Sequence, residues 1–336
     1  MRGVQGGKKI ALDWKSCYNS ASFPDFSGFG VSGNIMSMYG EITALLTSVC
    51  WAFTSVMFTK AGQRLGSSIV NHMRLWIAFI ALCIIHTLLF GSFFPFDIEC
   101  RRFFYLGVSG VVGYVVGDGL LIESFLLIGP RLAMLLMLLA PVFSAFLAWV
   151  LLGEVPAVIE ITGILVTIGG IAWVMAEKAP LLNNTTAKKS PQYAVGIALG
   201  IGGAVGQAVG LLLSRMGLEG GYSTISANHV RVTCAALMLG FFYLLRKKIH
   251  THVVKLKDKR ALVEITSGAL TGQVLGVILS LEAIAHTHIG IASTLMSLSP
   301  ILLIPVSYFI FKEKISIRAI IGTIVALLGV GLLFFT

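Results

Sequence analysis

Ten long apolar runs make up most of the chain and limit what it can fold into. They cover residues 41–58, 69–91, 103–128, 132–152, 158–176, 193–217, 225–245, 261–285, 289–311 and 316–335. Each run approaches or exceeds the roughly 20 apolar residues that a membrane-spanning helix needs. Only 12% of the residues are charged, about half the share in soluble domains, and the mean hydropathy is +0.90. The sequence therefore predicts an all-α integral membrane protein with ten transmembrane helices, and it excludes a soluble enzyme or a disordered binding protein.

Two polar segments divide the chain. Residues 1–37 are rich in Gly and Ser and hold no apolar stretch of signal-peptide type, so we expect this tail to be an upstream extension or a misassigned start. Residues 178–192 form a second polar stretch, which predicts a linker. We expect it to join a first unit of five helices, residues 38–177, to a second unit of five, residues 193–336.

The two units resemble each other in sequence. At a constant offset of 159 the matched residues are Gly113 with Gly272, Gly117 with Gly276, Glu123 with Glu282, Pro141 with Pro300, Glu154 with Glu313, Gly163 with Gly322 and Gly170 with Gly329. At an offset of 157, Asn71-His72-Met73-Arg74 matches Asn228-His229-Val230-Arg231. Because five is an odd number of helices, the second unit must enter the membrane from the opposite side. The sequence thus predicts two inverted five-helix repeats, from which many secondary transporters build a site at the membrane midplane.

The fourth helix of each repeat carries a family signature. Pro141 through Glu154, and again Pro300 through Glu313, resemble the EamA-type branch of the drug/metabolite transporter superfamily. Members of that branch have a Pro in the fourth helix of each half, an acidic residue where the helix ends, and a Gly-containing fifth helix. Arg74 also matches a position where the family often carries Arg. The resemblance covers roughly residues 41–335.

The resemblance implies the fold and the class of function but leaves the solute open. Members export amino acids, other metabolites and drugs, so it implies a secondary active transporter that moves a small metabolite across the cell (inner) membrane by alternating access, as an exporter. Two features depart from the family pattern: the usual Trp-Gly of the first helix is Trp51-Ala52 here, and the Glu123/Glu282 pair is not general in the family. A multidrug or organic-cation exporter is the alternative. A membrane-embedded enzyme acting on a lipid is a remote one.

A charge inside a predicted span costs about 2.5–3.5 kcal/mol on insertion scales, and we take five such residues as candidates for function: Arg74, Asp118, Glu123, Arg231 and Glu282. Arg74 and Glu123 each lie about five residues from the same end of their helices, which places both roughly 7–8 Å below one surface. Arg231 and Glu282 share a depth near the opposite surface. We expect two ion pairs, one at each end (mouth) of the transport pathway, that form and break as the two mouths open in turn. Asp118 is the fifth charge. The alternative is that both pairs are static and only join neighbouring helices.

Proton coupling has two sets of candidates. His72 and His229 could carry protons because His titrates near neutral pH, or each could hydrogen-bond a neighbouring carbonyl near the interface. Glu123 and Glu282 are the other candidates, because desolvation raises the pKa of a carboxyl group. The sequence leaves the coupling ion open.

Five residues near the expected midplane are candidates for substrate binding: Trp51, Tyr114, Asp118, Gln207 and Gln273. They offer aromatic surface, amide groups and one carboxylate, a lining that suits an amino acid or an organic cation. An Asp118 without a nearby Arg would favour the cation. The alternative is that the aromatic residues only pack and that Asp118 only hydrogen-bonds within the bundle. Pro141 and Pro300 lie in mid-span, where each should kink its helix.

Several kinds of site lack sequence support. There is no Gx4GK[ST], HExxH or GxSxG pattern, and the five cysteines stand apart, so we expect no catalytic residues, cofactor or metal. The net charge of +10 comes mostly from Lys and Arg between the apolar runs, where such residues orient membrane proteins. We therefore expect a small-molecule solute and the lipid bilayer as partners, with protons as a candidate coupling ion, and no nucleic acid.

The charges do not agree with the resemblance on orientation. The odd-numbered connections carry 16 Lys and Arg, whereas the even-numbered ones carry 3, or 7 with the N-terminal tail. The positive-inside rule then places the odd connections in the cytoplasm and both termini outside. The resemblance implies the reverse.

Overall fold

The structure, a computed structural model, describes residues 33–153, 156–176, 191–219, 222–247, 255, 257–286, 289–313 and 315–333. Within these ranges the chain forms ten helical segments, α1 to α10, and no strand. Six are continuous: α1 Gly33–Leu65, α2 Ser67–Phe90, α5 Val158–Ala176, α6 Pro191–Leu218, α7 Thr224–Leu245 and α10 Ile317–Leu333. Four are interrupted: α3 (Cys100–Gly110, Val111–Gly117, Asp118–Ile128), α4 (Pro130–Leu136, Leu139–Leu152), α8 (Lys259–Gly268, Ala269–Gly276, Val277–His286) and α9 (Ile289–Met296, Ser299–Ile310).

The helices have the length and surface of membrane spans. In the part of the chain that the structure describes, nine are long and apolar enough to cross a membrane, and α10 is a shorter apolar helix of 17 residues. Large apolar side chains lie on the outer surface: Val158, Leu88 and Phe309 are each at least three-quarters exposed, as expected where lipid replaces water. The prediction of an all-α membrane protein of two five-helix repeats is confirmed.

The two repeats pack together through their first and third helices. The third helix of each repeat lies on the first helix of the other, α3 on α6 and α8 on α1. A Cβ on Gly206 would lie 2.7 Å from the Cα of Gly117, and one on Gly272 would lie 2.5 Å from the Oγ1 of Thr54. Both distances are too short for a side chain, so glycine is what lets these helices approach so closely.

The fifth helices of the two repeats, α5 and α10, also pack on each other. A Cβ on Gly329 would lie 2.4 Å from the backbone nitrogen of Thr167, and one on Gly163 would lie 2.7 Å from the carbonyl oxygen of Gly329. The glycines that the sequence comparison matched are therefore packing residues in both repeats.

The interruptions of α4 and α9 are equivalent. They fall at residues 137–138 and 297–298, which end three residues before Pro141 and two residues before Pro300. A proline cannot donate a hydrogen bond to the carbonyl four residues earlier, and tighter bonds that span three residues replace the α-helical ones at both places. The helices are thus broken within one turn of the two prolines that were expected to kink them.

Parts of the predicted boundaries lie outside the described residues. This applies to residues 1–32 of the expected tail, to residues 178–190 of the expected linker and to Glu154. α1 begins at Gly33, inside the segment expected to be tail, and α6 begins at Pro191, two residues before the expected start of the second unit.

Candidate functional site

A stretch of π-helix interrupts α3 and α8 at equivalent positions. The stretches are Val111–Gly117 and Ala269–Gly276, and they contain the matched residues Tyr114 and Gln273. Both side chains are buried, with 7% and 9% of their surface exposed. A π-turn widens the helix and re-aims its side chains, and such turns occur often at functional sites. The sequence hinted at this feature only through the repeated glycines on either side.

Arg74 of α2 is the centre of a buried polar cluster that contains both π-segments. Only 2% of its surface is exposed, and its Nη2 lies 2.7 Å from the Oδ2 of Asp118. The same nitrogen donates to the carbonyl oxygen of Tyr114 at 3.0 Å, Nη1 donates to the Oε1 of Gln273 at 2.8 Å, and Nε donates to the Oδ1 of Asn71 at 2.9 Å. One guanidinium group thereby joins α2 and α3 of the first repeat to α8 of the second.

Asp118 has both carboxylate oxygens occupied. Oδ2 faces Arg74, and Oδ1 accepts a hydrogen bond from the Nε2 of Gln207 on α6. The same Nε2 also donates to the carbonyl oxygen of Gly113 at 3.3 Å. An Asp118 without a nearby arginine would have favoured an organic cation as substrate, and the contact with Arg74 removes that argument.

The second repeat contributes Arg231 of α7, whose contacts differ from those of Arg74. The hydroxyl of Tyr114 donates to the Oδ1 of Asn228 at 2.7 Å, and the guanidinium carbon of Arg231 lies 4.5 Å from the centre of the Tyr114 ring. The Nε of Arg231 is buried without a hydrogen-bond partner. Among the residues that the structure describes, Arg231 has this cation–π contact but no hydrogen bond and no ion pair.

The expected pairing of Arg74 with Glu123 is wrong. Arg74 pairs with Asp118, while Glu123 accepts a hydrogen bond from the hydroxyl of Ser67 at the start of α2. The depth argument fixed the height of each residue along the membrane but not its direction around the helix. Asp118 and Glu123 are five positions apart, about 140° around an α-helix, so they face different parts of α2.

The expected pairing of Arg231 with Glu282 is also wrong. The Oε2 of Glu282 lies 3.5 Å from the Nδ1 of His286, one turn further along α8. Arg231 instead lies over the Tyr114 ring of α3.

The two candidate histidines are buried in different surroundings. The Nε2 of His72 accepts a hydrogen bond from the indole nitrogen of Trp76 at 3.1 Å. His229 is fully buried, its Nε2 lies 3.4 Å from the Sγ of Cys83, and its ring centre lies 5.4 Å from that of His86.

Trp51 of α1 lies beside Gly276, the last residue of the second π-segment. A Cβ on that glycine would lie 3.1 Å from the indole nitrogen. In the described ranges Trp51 has no hydrogen bond to the other four predicted binding residues, so the structure brings those four together with Arg74 and leaves Trp51 as a packing neighbour.

A second buried ion pair joins the repeats and was not anticipated. The Nε of Arg131, at the start of α4, lies 3.1 Å from the Oε2 of Glu313 after α9, and the two side chains are 3% and 10% exposed. Arg131 had been counted among the charges that orient the protein. Its burial shows that it belongs to the packing instead.

The two repeats differ in how their second and third helices meet. In the first repeat, α2 packs against the Asp118–Ile128 part of α3. In the second, α7 and the Val277–His286 part of α8 share no comparable interface over the described residues. The repeats therefore adopt different arrangements around one polar cluster.

A multi-pass helical protein of two five-helix repeats, with a buried polar cluster where they meet, has the architecture of a membrane transporter. The chain matches the EamA-like transporter family over residues 38–176 and 194–335 and belongs to that family. The two matches coincide with the two repeats and confirm the resemblance. The protein is thus of the drug/metabolite transporter type, and membership indicates a small-molecule solute and a lipid environment.

Two further comparisons were made. A solved structure described as "Crystal structure of protein" is 16% identical, with a TM-score of 0.49, and the match covers 87% of this chain and 95% of that one. The comparison with curated proteins gave no match.

Proposed function

We propose that this protein is a secondary transporter that carries a small metabolite through the Arg74 cluster by alternating access. The observation that supports this most is the hydrogen bond between Arg74 of the first repeat and Gln273 of the second, next to the ion pair with Asp118. A buried charged group inside a membrane bundle is costly and usually marks a solute or ion pathway. A cluster shared by both repeats changes its contacts whenever the repeats move.

The difference between the repeats supports alternation between two mouths. Ser67 and Glu123 hydrogen-bond at one mouth, where α2 begins and α3 ends. Their equivalents at the other mouth are Thr224 and Glu282, and no hydrogen bond joins these two side chains in the described structure. We assign the Ser67–Glu123 contact as a latch that is closed in this state, and the Thr224–Glu282 contact as its partner in the alternate state. The latch replaces the arginine gates that the sequence had suggested.

The test of transport is counterflow into proteoliposomes. Labelled amino acids and labelled organic cations are presented to the wild-type protein, to Asp118→Asn and to the matched control Asp97→Asn, which alters an exposed carboxylate between α2 and α3. Saturable uptake by the wild type and the control, lost in Asp118→Asn, is the expected result. Uptake of cations alone would favour the multidrug alternative. No uptake of any solute would contradict transport and return attention to lipid substrates.

Proton coupling is tested in the same vesicles with an imposed pH gradient. If Glu123 carries the proton as well as forming the latch, Glu123→Gln should remove the stimulation by the gradient while counterflow at equal pH persists. An unaltered response to pH in Glu123→Gln, Glu282→Gln and the two His→Gln variants at positions 72 and 229 would exclude all four candidates.

The direction of transport, export, rests on the family resemblance and needs the orientation of the protein. Residues 246–260, which comprise the connection between α7 and α8 and the first two residues of α8, carry seven of the Lys and Arg residues. A cysteine introduced at Lys257 should resist a membrane-impermeant maleimide in intact cells if the positive-inside rule holds. Rapid labelling would support the orientation that the resemblance implies.

A further inference from the structure

The polar cluster contains one more positive charge than negative charges. Arg74 and Arg231 are two guanidinium groups, and Asp118 is the only carboxylate that pairs with either of them among the described residues. Both oxygens of Asp118 are already occupied, by Arg74 and by Gln207. A guanidinium group does not lose its proton in proteins, so the charge of Arg231 has no counter-ion among the residues that the structure describes.

The imbalance arises from one difference between the repeats. Asp118 is the first residue after the π-segment of α3, and the residue at the equivalent place in α8 is Val277. The arginines are equivalent, at an offset of 157, but only the first repeat supplies a carboxylate at this position. The second repeat thus keeps the arginine but has Val277, an apolar residue, at the sequence position that corresponds to Asp118.

Arg231 is also held ready to bind. The carbon of its guanidinium group lies over the Tyr114 ring, 4.5 Å from the ring centre, and the Tyr114 hydroxyl donates a hydrogen bond to Asn228 at 2.7 Å. This cation–π contact restrains the group without using its N–H donors, and the paired N–H groups of an arginine fit the two oxygens of a carboxylate.

We propose that Arg231 binds a carboxylate group of the transported solute, which takes the place that Asp118 fills for Arg74. The proposal rests on the proposed transport function and narrows its substrate class to carboxylates, including amino acids. It also disfavours simple organic cations, which would add a third positive charge to the cluster.

The experiment measures binding separately from transport. The full-length protein is purified in detergent, and its melting temperature is followed with sodium propionate, sodium benzoate or L-leucine, and with propionamide, benzamide or L-leucinamide as matched compounds that lack the carboxylate. We expect the carboxylates to raise the melting temperature and the amides not to do so. A hydrogen-bonded charge pair of this kind corresponds to about 10- to 100-fold in affinity.

Two substitutions of Arg231 locate the effect. Arg231→Gln should remove the stabilisation, whereas Arg231→Lys should retain part of it because the charge remains. Arg231→Gln should still fold, since the cation–π contact with Tyr114 is the only polar interaction that the Arg231 side chain makes with the described part of the chain. The control is Arg318→Gln on the exposed face of α10, which should bind like the wild type.

The remaining outcomes separate the assignment of Arg231 from the proposed transport function. Equal stabilisation of the wild type and Arg231→Gln, stabilisation by the amides, or none by any carboxylate would each refute the assignment of Arg231. Counterflow of cations without carboxylate binding would leave transport standing and remove the substrate class. Carboxylate binding that depends on Arg231, without any counterflow, would leave the site standing and remove the transport function.

Discussion

Replacement of Asp118 by Asn removes the charge that balances the buried Arg74. The two side chains are 16% and 2% exposed and are in direct contact at 2.7 Å. Two unit charges about 4 Å apart attract by about 4 kcal/mol at an effective dielectric constant of about 20, and loss of one partner of a buried pair costs about 3–5 kcal/mol. Arg74 keeps its acceptors on Asn71, Tyr114 and Gln273. We therefore expect Asp118→Asn to lower the free energy of unfolding by about 2–4 kcal/mol.

The assay is equilibrium unfolding of the purified protein in mixed micelles, with a double-mutant cycle. Arg74→Gln combined with Asp118→Asn leaves neither member of this ion pair charged. The double variant should therefore be more stable than the sum of the two single losses predicts, with a coupling energy of at least about 1 kcal/mol. Asp97→Asn is the control and should change stability by less than about 0.5 kcal/mol. If Asp118→Asn is as stable as the wild type, or if the losses in the cycle are additive, the view that this ion pair stabilises the folded cluster is refuted.

Three further predictions concern the latch, the glycine packing and one tyrosine outside the spans. Ser67→Ala removes the hydrogen bond to the carboxylate of Glu123, which is worth about 1.5–3 kcal/mol. In a cysteine-free background it should therefore raise the rate at which maleimide labels a Val70→Cys reporter by about tenfold or more. An unchanged rate would contradict the assignment of this contact as a latch. Gly329→Ala should lower the free energy of unfolding by about 1–3 kcal/mol through overpacking, whereas Gly169→Ala, with open space around it, should not be destabilising; equal losses would contradict the packing argument. Burial raises the pKa of Tyr222 to about 12. Because the tyrosine of the unfolded chain loses its proton first, near pH 10, the free energy of unfolding should fall between about pH 10 and 12. The ultraviolet titration of Tyr222→Phe should lack one high-pH transition of the wild type, and identical titrations of the two proteins would contradict the raised pKa.

The sequence by itself determined the number of helices, their grouping and the family. Lipid cannot hydrogen-bond the backbone, so each apolar run of sufficient length must become a helix, and the matched residues from Gly113 to Gly329 revealed the repeat without any structure. The sequence also singled out four residues that meet in the polar cluster, Tyr114, Asp118, Gln207 and Gln273, because a polar side chain in mid-span has few possible roles. The positions of Pro141 and Pro300 likewise indicated where α4 and α9 are interrupted.

Only the tertiary structure decided which of these residues meet. Depth in the membrane can be counted along the chain, but the partner of Arg74 depends on how α2 and α3 are rotated about their axes, which the packed structure decides. The same applies to Arg131, which looked like a surface charge and is buried against Glu313. The unbalanced charge of Arg231 could be recognised only once Asp118 was seen to belong to Arg74, because the sequence lists charges whereas the folded chain pairs them.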